Sequence, residues 1–165
     1  MKNQKKMKNE KLYRESWSLF PTGVSVIAAL DNKKNVHGMT ANSISSISLN
    51  PNIVMVSIGK ERSIKDHLSE SSSISISVLA SDQIHIANHF AISNSSNFSK
   101  NNNYFQFSNE YFFIEKCLSY YFGKIIEKHN IGDHEVYFIE VKYFDLFKNK
   151  EPLVWYRGKF SKTIC

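Results

Sequence analysis

The chain has 165 residues, of which 42% are hydrophobic and 13% aromatic, and it carries a formal net charge of +6. This length fits one domain that buries about 70% of its unfolded surface, and the composition excludes an intrinsically disordered protein. No apolar run approaches the ~20 residues that cross a bilayer, so no membrane partner is expected.

The positive charge is concentrated at the N-terminus. Residues 1–15 hold six Lys and Arg against two Glu, whereas the other 150 residues carry fifteen basic and thirteen acidic side chains. We therefore expect residues 1–15 to form a basic, disordered tail and residues 16–165 to form the domain. Because a nucleic-acid-binding domain carries a basic face on its folded body, nucleic acid is not an expected partner. The tail also lacks the apolar core of a signal peptide, which argues against secretion.

The apolar pattern along the chain is mainly that of β-strands. Residues 24–30 and the segment from Val36 onward predict a hairpin around the turn-forming residues 31–35. The continuous apolar run 53–58 predicts a buried strand, and alternation with Ser75 and Ser77 predicts another over 74–78. Further strands are expected over residues 118–128 and 135–147, joined by a turn at 129–133, and over residues 152–160.

Two short helices and one long loop complete the prediction. Residues 63–66 have the form of a capping box and predict a helix over 63–70. A second helix is expected over 81–91, with Ser81 as its cap and Ile84, Ala87 and Ala91 facing inward, and residues 92–110 are expected to be loop. Because strands and helices do not alternate, the fold class is mainly β, an antiparallel barrel with short helices. No G-x-G-x-x-G turn is present for a nucleotide.

The cysteines and histidines do not predict a metal site. Cys117 and Cys165 lie far apart, which excludes a disulfide scaffold and fits a reducing compartment, so we expect a cytoplasmic protein. His85 and His89 are four residues apart, but no Glu follows His85 as in zinc proteases, and solvated helix histidines explain the pair.

The segment 38–51 is the most informative for function. It places the hydroxyls of Thr40, Ser43, Ser45, Ser46 and Ser48 among apolar residues. Small neutral polar groups beside apolar ones suit a flat, phosphate-bearing ligand that is held by hydrogen bonds. Alternatively, these hydroxyls only satisfy backbone groups at a strand edge.

Five segments in order resemble the flavin reductase family, whose members have an FMN-binding split β-barrel and supply reduced flavin to two-component monooxygenases. The segments are residues 20–24 (FPTGV), 38–51, 77–80 with 90–91, 132–134 (GDH) and 152–158 (PLVWYRG). The resemblance implies a split barrel that binds FMN or FAD and oxidises NADH or NADPH. After Phe90 and Ala91 the family often has Gly, whereas this chain has Ile92.

The resemblance also implies the site residues. In the family, the first part of the hydroxyl-rich segment lines the flavin ring and its ribityl chain, the loop at residues 59–63 binds the flavin phosphate, and Phe90 lies near the cofactor. The expected flavin-binding residues are Met39, Thr40, Ala41, Asn42, Ser43, Ser45, Ser46, Gly59, Lys60, Arg62, Ser63 and Phe90. Arg62 offers paired donors, and Ser63 would begin a helix whose N–H groups favour an anion. A plain capped surface helix explains the loop equally.

His134 is the catalytic residue that the resemblance implies. In the family this histidine lies where nicotinamide meets flavin, and Tyr156, Arg157 and Gly158 match a segment bordering the same pocket. Because hydride transfer mainly requires two stacked rings, we expect His134 to position the dinucleotide. The alternative is an exposed turn histidine.

The expected activity is therefore NAD(P)H:flavin oxidoreduction, with a homodimer and a diffusing reduced flavin that serves a partner monooxygenase. An alternative is a flavin-binding sensor or storage protein on the same barrel, which would hold flavin tightly without steady turnover. A related group resembling pyridoxamine-phosphate oxidases would need a basic cluster for a second phosphate, and the sequence shows none.

Overall fold

The protein is described here as a computed structural model, which covers residues 2–70, 72–92, 101–147 and 150–161. Within these ranges the fold is mainly β. The helices are α1 (Lys2–Ser18) and α2 (Ile84–Ala91), with 3₁₀ helices at Ser63–His67 and Ser81–Gln83. The strands are β1 (Thr22–Gly23), β2 (Ser25–Leu30), β3 (Val36–Ala41), β4 (Ile44–Leu49), β5 (Asn52–Gly59), β6 (Ser73–Val78), β7 (Phe105–Phe107), β8 (Phe112–Ile114), β9 (Ser119–Ile131), β10 (His134–Leu146), β11 (Val154–Tyr156) and β12 (Lys159–Ser161).

A seven-stranded antiparallel sheet forms the body of the molecule. Its strand order is β3-β2-β6-β9-β10-β5-β4, and smaller sheets are formed by β1-β11-β12 and by β7-β8. The end strands β3 and β4 are not paired with each other in the described residues, so the barrel is open between them. This confirms the predicted antiparallel split barrel.

The large sheet has a hydrophobic core on each face. Along β2, Ile27 and Ala29 face one core, which fills the barrel, whereas Val26 and Ala28 face the other, which lies under α2 and the β7–β8 hairpin. Because successive side chains of a strand point to opposite faces, one apolar strand serves both cores.

Ser75 and Ser77 differ from the prediction of an outward polar face on β6. Both are fully buried, because that face of β6 lies under the second core rather than in solvent. Ser77 Oγ accepts a hydrogen bond from the backbone N–H of Ile114 at 2.9 Å, which satisfies one of the two hydroxyls. The strand prediction is correct, but its polar side chains do not mark a solvated face.

The two hairpins at the C-terminal end are tighter than predicted. His134 pairs with Ile131, so the turn of the long hairpin is only Gly132 and Asp133, and residues 129–131 continue β9. The single strand expected over 152–160 is instead β11 and β12, which reverse at Arg157 and Gly158. Gly158 has φ +74°, a conformation that glycine adopts without strain.

The helix predictions are correct in place and wrong in detail. The 3₁₀ helix at Ser63–His67 is shorter than the expected helix over 63–70, and no side chain caps it, so the capping box is not formed. The second helix begins as the 3₁₀ turn Ser81–Gln83, where Gln83 Oε1 accepts the backbone N–H of Ala80 at 3.0 Å, and Ser81 is not its cap. Ala91 is exposed rather than inward.

The N-terminal segment forms helix α1, where a disordered tail was expected. The division of the chain at residue 16 remains a prediction. In the expected loop over 92–110, residues 93–100 lie outside the described part, while Phe105–Phe107 forms β7 and pairs with β8. Cys165 is also outside the described residues.

Candidate flavin site

A cavity of about 320 Å³ opens where the end of β3 meets helix α2 and the β11–β12 hairpin. Its polar residues come from β3, the loop after β5, and α2, and its apolar residues come mainly from the segments that flank them. The lining residues are Val24, Thr40, Ala41, Asn42, Arg62, Asn88, Ala91, Trp155 and Phe160.

The predicted residues Thr40, Ala41 and Asn42 line this cavity together. Thr40 Oγ1 donates to the backbone carbonyl of Ala87 at 2.6 Å, and Asn42 Nδ2 donates to Thr22 Oγ1 at 3.1 Å. These bonds fix β3 to its neighbours. Because β3 is an end strand of the sheet, its outer edge can meet a ligand at the end that borders the cavity, whereas Val36 at the other end is hydrogen-bonded to Asn101 and Asn102.

The remaining residues of the hydroxyl-rich segment lie elsewhere. Met39 is buried in the barrel core, 8% exposed. Ser43 Oγ donates to the backbone carbonyl of Ser57 at 2.6 Å, which joins the start of β4 to β5. Ser45 and Ser46 are exposed on β4, opposite Met55 and Val54. None of these four side chains lines the cavity, so the segment is divided between core, sheet edge and cavity.

The loop at residues 59–63 contributes Arg62 to the cavity. The Arg62 guanidinium donates to the carbonyl of Ala91 at 3.3 Å and lies 3.5 Å from Glu61 Oε1. Lys60 has another role, because its Nζ donates to the carbonyl of Gly132 at 2.8 Å and ties the loop to the β9–β10 turn. Ser63 is exposed at the start of a five-residue 3₁₀ helix, too short for a strong helix dipole.

His134 lies beside this loop but does not line the cavity. It opens β10 opposite Gly59, and its Nδ1–H donates to Asp133 Oδ1 at 2.7 Å. This hydrogen bond holds the pKa of Asp133 below its usual value. The imidazole is 46% exposed, so Nε2 is accessible to a ligand.

Phe90 and the turn at residues 156–158 do not line the cavity. The Phe90 ring is buried against Gly38, where an added Cβ would lie 2.8 Å from two ring carbons. Arg157 has φ 50°, and its guanidinium carbon lies 5.3 Å from the centre of the Tyr156 ring. The structure therefore places Phe90 beneath β3 and these turn residues beyond the cavity.

Sequence reasoning missed several lining residues. Trp155 and Phe160 form an edge-to-face pair with ring centroids 4.9 Å apart, which gives the cavity an aromatic wall. Trp155 lies in a segment that resembles the family, so its signal was present, whereas Asn88 and Phe160 carry no distinctive pattern. Their contribution depends on the fold, which brings α2 and β12 to the same cavity as the end of β3.

The cavity fits part of a flavin. Small-molecule sites have volumes of about 300–1,000 Å³ and combine apolar walls with a few oriented polar groups. Here Trp155, Phe160 and Val24 offer apolar surface to a flat ring, the edge of β3 offers peptide groups to ring carbonyls, and Arg62 offers donors to a phosphate. Within the described residues, no cluster of His, Cys, Asp and Glu is placed to hold a metal, and no helix is long and apolar enough to cross a membrane.

The comparison with protein families decides the classification. The family model described as "Flavin reductase like domain" matches residues 17–163. The chain belongs to this family. The match includes every strand and the whole cavity, and it confirms the family resemblance.

Individual relatives agree with this assignment. An NADH-dependent flavin reductase of Rhodococcus sp. is 30% identical over 151 residues, which cover 89% of this chain and 82% of the relative. The solved structure of the Streptomyces globisporus NADH:FAD oxidoreductase SgcE6, in complex with NAD and FAD fragments, is 26% identical with a TM-score of 0.85, covering 95% of this chain and 94% of that one. The reductase component of a flavin-dependent trigonelline monooxygenase of Acinetobacter baylyi matches over 78 residues at 36% identity, 47% of this chain and 25% of that protein.

Proposed function

We propose that this flavin reductase family member oxidises NADH and reduces FMN or FAD, and supplies the reduced flavin to a partner monooxygenase. The observation that carries the proposal is the cavity of about 320 Å³, in which an aromatic wall, the free edge of β3 and Arg62 meet. The Rhodococcus and Streptomyces relatives are named for NADH and for flavin or FAD, which supports the choice of substrates.

The chemistry requires a hydride donor and a hydride acceptor, which the nicotinamide and the flavin ring supply when bound. The protein's contribution is to bring the two rings into contact at about 3–3.5 Å and to exclude water. Trp155, Phe160 and Val24 give the apolar surface for this, and peptide groups of β3 orient the ring edge through neutral hydrogen bonds.

Arg62 is the proposed phosphate-binding residue. Its guanidinium lines the cavity and presents N–H donors in a planar fork, a geometry that matches the oxygens of a phosphate. Lys60 holds the loop in place through Gly132 rather than reaching the ligand itself. Gly59, Ser63 and the exposed Ser45 and Ser46 stay predictions for the phosphate and ribityl contacts.

His134 is the proposed positioning residue for the dinucleotide. Asp133 fixes the imidazole through Nδ1–H, which leaves Nε2 to accept or donate a hydrogen bond toward the ligand. Its place beside Gly59 puts it next to the loop that carries Arg62.

We also propose a homodimer. Two large apolar side chains on the same face of β10, Phe144 and Leu146, are 60% and 58% exposed. Surfaces of this kind mark interfaces, and pairing of two copies would cover them. Light scattering after size-exclusion chromatography tests this, and a mass of one chain at micromolar concentration contradicts it.

The partner and the compartment follow from the same proposal. The relative from Acinetobacter is named as the reductase component of a monooxygenase, which supports a monooxygenase partner. A reductase of this kind treats flavin as an exchanging substrate bound with a Kd on the order of μM. The buried free thiol of Cys117 and the use of NADH fit the cytoplasm, which we propose as its location.

The test is NADH and NADPH oxidation with added FMN, FAD or riboflavin. We expect turnover with NADH and rapid exchange of the flavin; flavin that copurifies and does not exchange would instead favour a sensor. Arg62→Ala should raise the KM for FMN about tenfold and leave that for riboflavin, which lacks the phosphate, nearly unchanged. Lys65→Ala, three residues along and outside the cavity lining, is the matched control. Absence of flavin-dependent oxidation with any combination contradicts the proposal.

A further inference from the structure

We propose that a cavity at the opposite end of β2 and β3 from the flavin site binds a small aromatic carboxylate. The cavity has a volume of about 740 Å³ and lies where the β2–β3 turn meets the β7–β8 hairpin and the start of β6. Val24, just before β2, lines the flavin cavity, whereas Leu30, the last residue of β2, lines this one, so about 20 Å of strand separates them. The two sites are therefore distinct, and the inference does not depend on the proposed function.

One part of the lining is a group of aromatic rings from the β7–β8 hairpin and β9. Phe107 and Phe112 are nearly parallel, with ring centroids 5.7 Å apart and planes inclined by 19°, and Phe112 meets Phe122 edge-to-face at 5.6 Å. Phe112 and Phe122 are buried, but Phe107 is 47% exposed, so part of its ring is open to a ligand. Because aromatic rings attract each other in offset-stacked and edge-to-face arrangements, this group favours an aromatic ligand over a saturated one.

The charged groups of the lining favour a carboxylate on that ligand. Lys34 makes no ion pair with any residue in the described part of the chain. Burial lowers the pKa of His67 below its usual value, so the imidazole is neutral at pH 7 and Lys34 is the cation that the described lining presents. The carboxylate of the lining, Glu110, accepts the hydroxyl of Tyr143 at 2.5 Å, so one of its oxygens is already engaged. Lys34 is thus available to pair with a carboxylate of the ligand.

Hydrogen bonds fix the walls of the cavity. The backbone N–H of Val36 donates to Asn102 Oδ1 at 3.1 Å, and the carbonyl of Val36 accepts Asn101 Nδ2 at 2.9 Å. Asn102 lines the cavity, so these bonds join the start of β3 to the segment that leads into β7. Within the β7–β8 hairpin, the backbone N–H of Ser108 donates to the carbonyl of Tyr111 at 2.8 Å, which closes the turn. Walls held in this way lose little conformational freedom when a ligand binds.

The first experiment measures ligand binding to the full chain by calorimetry, without flavin or NADH. The probe is 2-naphthoate, whose fused rings and carboxylate match the two parts of the lining. Its amide, 2-naphthamide, has the same rings without the charge and should bind about fivefold more weakly, the value of one exposed ion pair. The saturated acid, decahydro-2-naphthoate, keeps the charge without the aromatic rings and should also bind about fivefold more weakly.

Variants then test whether the ligand occupies this cavity. Lys34→Gly should weaken 2-naphthoate binding about fivefold and leave that of the amide unchanged, because only the acid pairs with the ammonium group. Lys34 has φ 62°, which glycine adopts without strain, so the turn is kept. Lys33→Ala removes an equal charge from the neighbouring exposed position outside the cavity lining, and it should leave both affinities unchanged. Phe107→Leu keeps an apolar side chain but removes the ring, and it should weaken the acid and the amide equally.

Three results would overturn the inference. The wild-type protein might not bind 2-naphthoate, it might bind all three ligands equally, or Lys34→Gly and Phe107→Leu might leave the affinities unchanged, which would place the ligand elsewhere. Because these measurements use neither flavin nor NADH, they are independent of the proposed activity. A protein that binds 2-naphthoate through Lys34 and reduces no flavin would support this site and contradict only the proposed function.

Discussion

Replacement of Gly38 by alanine tests how the flavin cavity is supported. Gly38 lies on β3 two residues before Thr40, and its Cα faces the ring of Phe90 on α2. An added Cβ would lie 2.8 Å from Cδ1 and Cε1 of that ring, where ordinary contacts are 3.4–4 Å. The methyl group and the ring must therefore separate by more than half an ångström.

The surroundings of Phe90 determine the cost of this separation. The ring is 2% exposed and contacts the rings of His89, Tyr104 and Phe105, with centroids 4.8, 5.8 and 5.9 Å away. It cannot turn away without disturbing these neighbours, so α2 must move from β3. Overpacking of this kind costs about 1–3 kcal/mol. For a domain of this size the midpoint of thermal unfolding would fall by roughly 3–10 °C.

The same displacement should weaken flavin binding. Asn88 and Ala91, on either side of Phe90, line the cavity, and Thr40 is joined to Ala87 by a 2.6 Å hydrogen bond. Urea unfolding measures the stability of Gly38→Ala, and fluorescence quenching of FMN measures its affinity. Phe90→Leu makes room for the methyl group, so in the double variant the two substitutions should cost at least about 1 kcal/mol less than their sum. Unchanged stability of Gly38→Ala, or additive effects in the double variant, would refute this account.

Three further outcomes are expected. His134→Ala should raise the KM for NADH about tenfold, because it removes a hydrogen bond to the dinucleotide, and it should alter flavin affinity little. Equal effects on the KM for NADH and on flavin affinity would contradict a positioning role. The Asp31 carboxylate accepts hydrogen bonds from the side-chain amide of Asn35 and from the backbone N–H groups of Asn35 and Lys33, which hold its pKa well below the usual value of about 3.9. Its stabilising effect is therefore complete above that pH and is lost as pH falls toward its folded-state pKa. Asp31→Asn should therefore lower the unfolding free energy at pH 7 and show a smaller loss below pH ~4, and parallel acid curves would count against this. Burial raises the pKa of Cys117 to about 12, so in a variant without the Cys165 thiol, iodoacetamide at pH ~8 should react only with unfolded protein.

The strands were predictable from the sequence because their apolar pattern is strong and local. The runs at 24–30 and 53–58 correspond to β2 and β5, and the turn residues 31–35 do join β2 to β3. Ser75 shows the limit of this reasoning, since alternation alone does not reveal a second core over the outer face. Helix α1 was missed for a different reason: residues 7–17 are all exposed, and a charged segment without an apolar stripe gives no periodic signal.

The lining residues on β3 and in the loop after β5 were predictable from the sequence, whereas those on α2 and β12 were not. Thr40, Ala41 and Asn42 line the cavity together with Arg62, twenty residues farther along the chain, and the family resemblance supplied all four. Phe160 depends on a reversal at residues 157–158 that the sequence pattern placed within one strand. Residues brought in by such a reversal have no spacing of their own to detect.

The hydroxyl-rich segment shows how a functional and a structural explanation can both hold. Ser43 and Thr40 donate to backbone carbonyls of Ser57 and Ala87, as expected if these hydroxyls satisfy the edges of the sheet. The Thr40 bond holds β3 against α2 as an end strand whose outer edge borders the cavity beside Trp155. The side chains thus stabilise the strand, and the peptide groups of that strand are what the ligand would meet. Substitution of Thr40 by valine should consequently affect flavin affinity through the position of β3 rather than through loss of a direct contact.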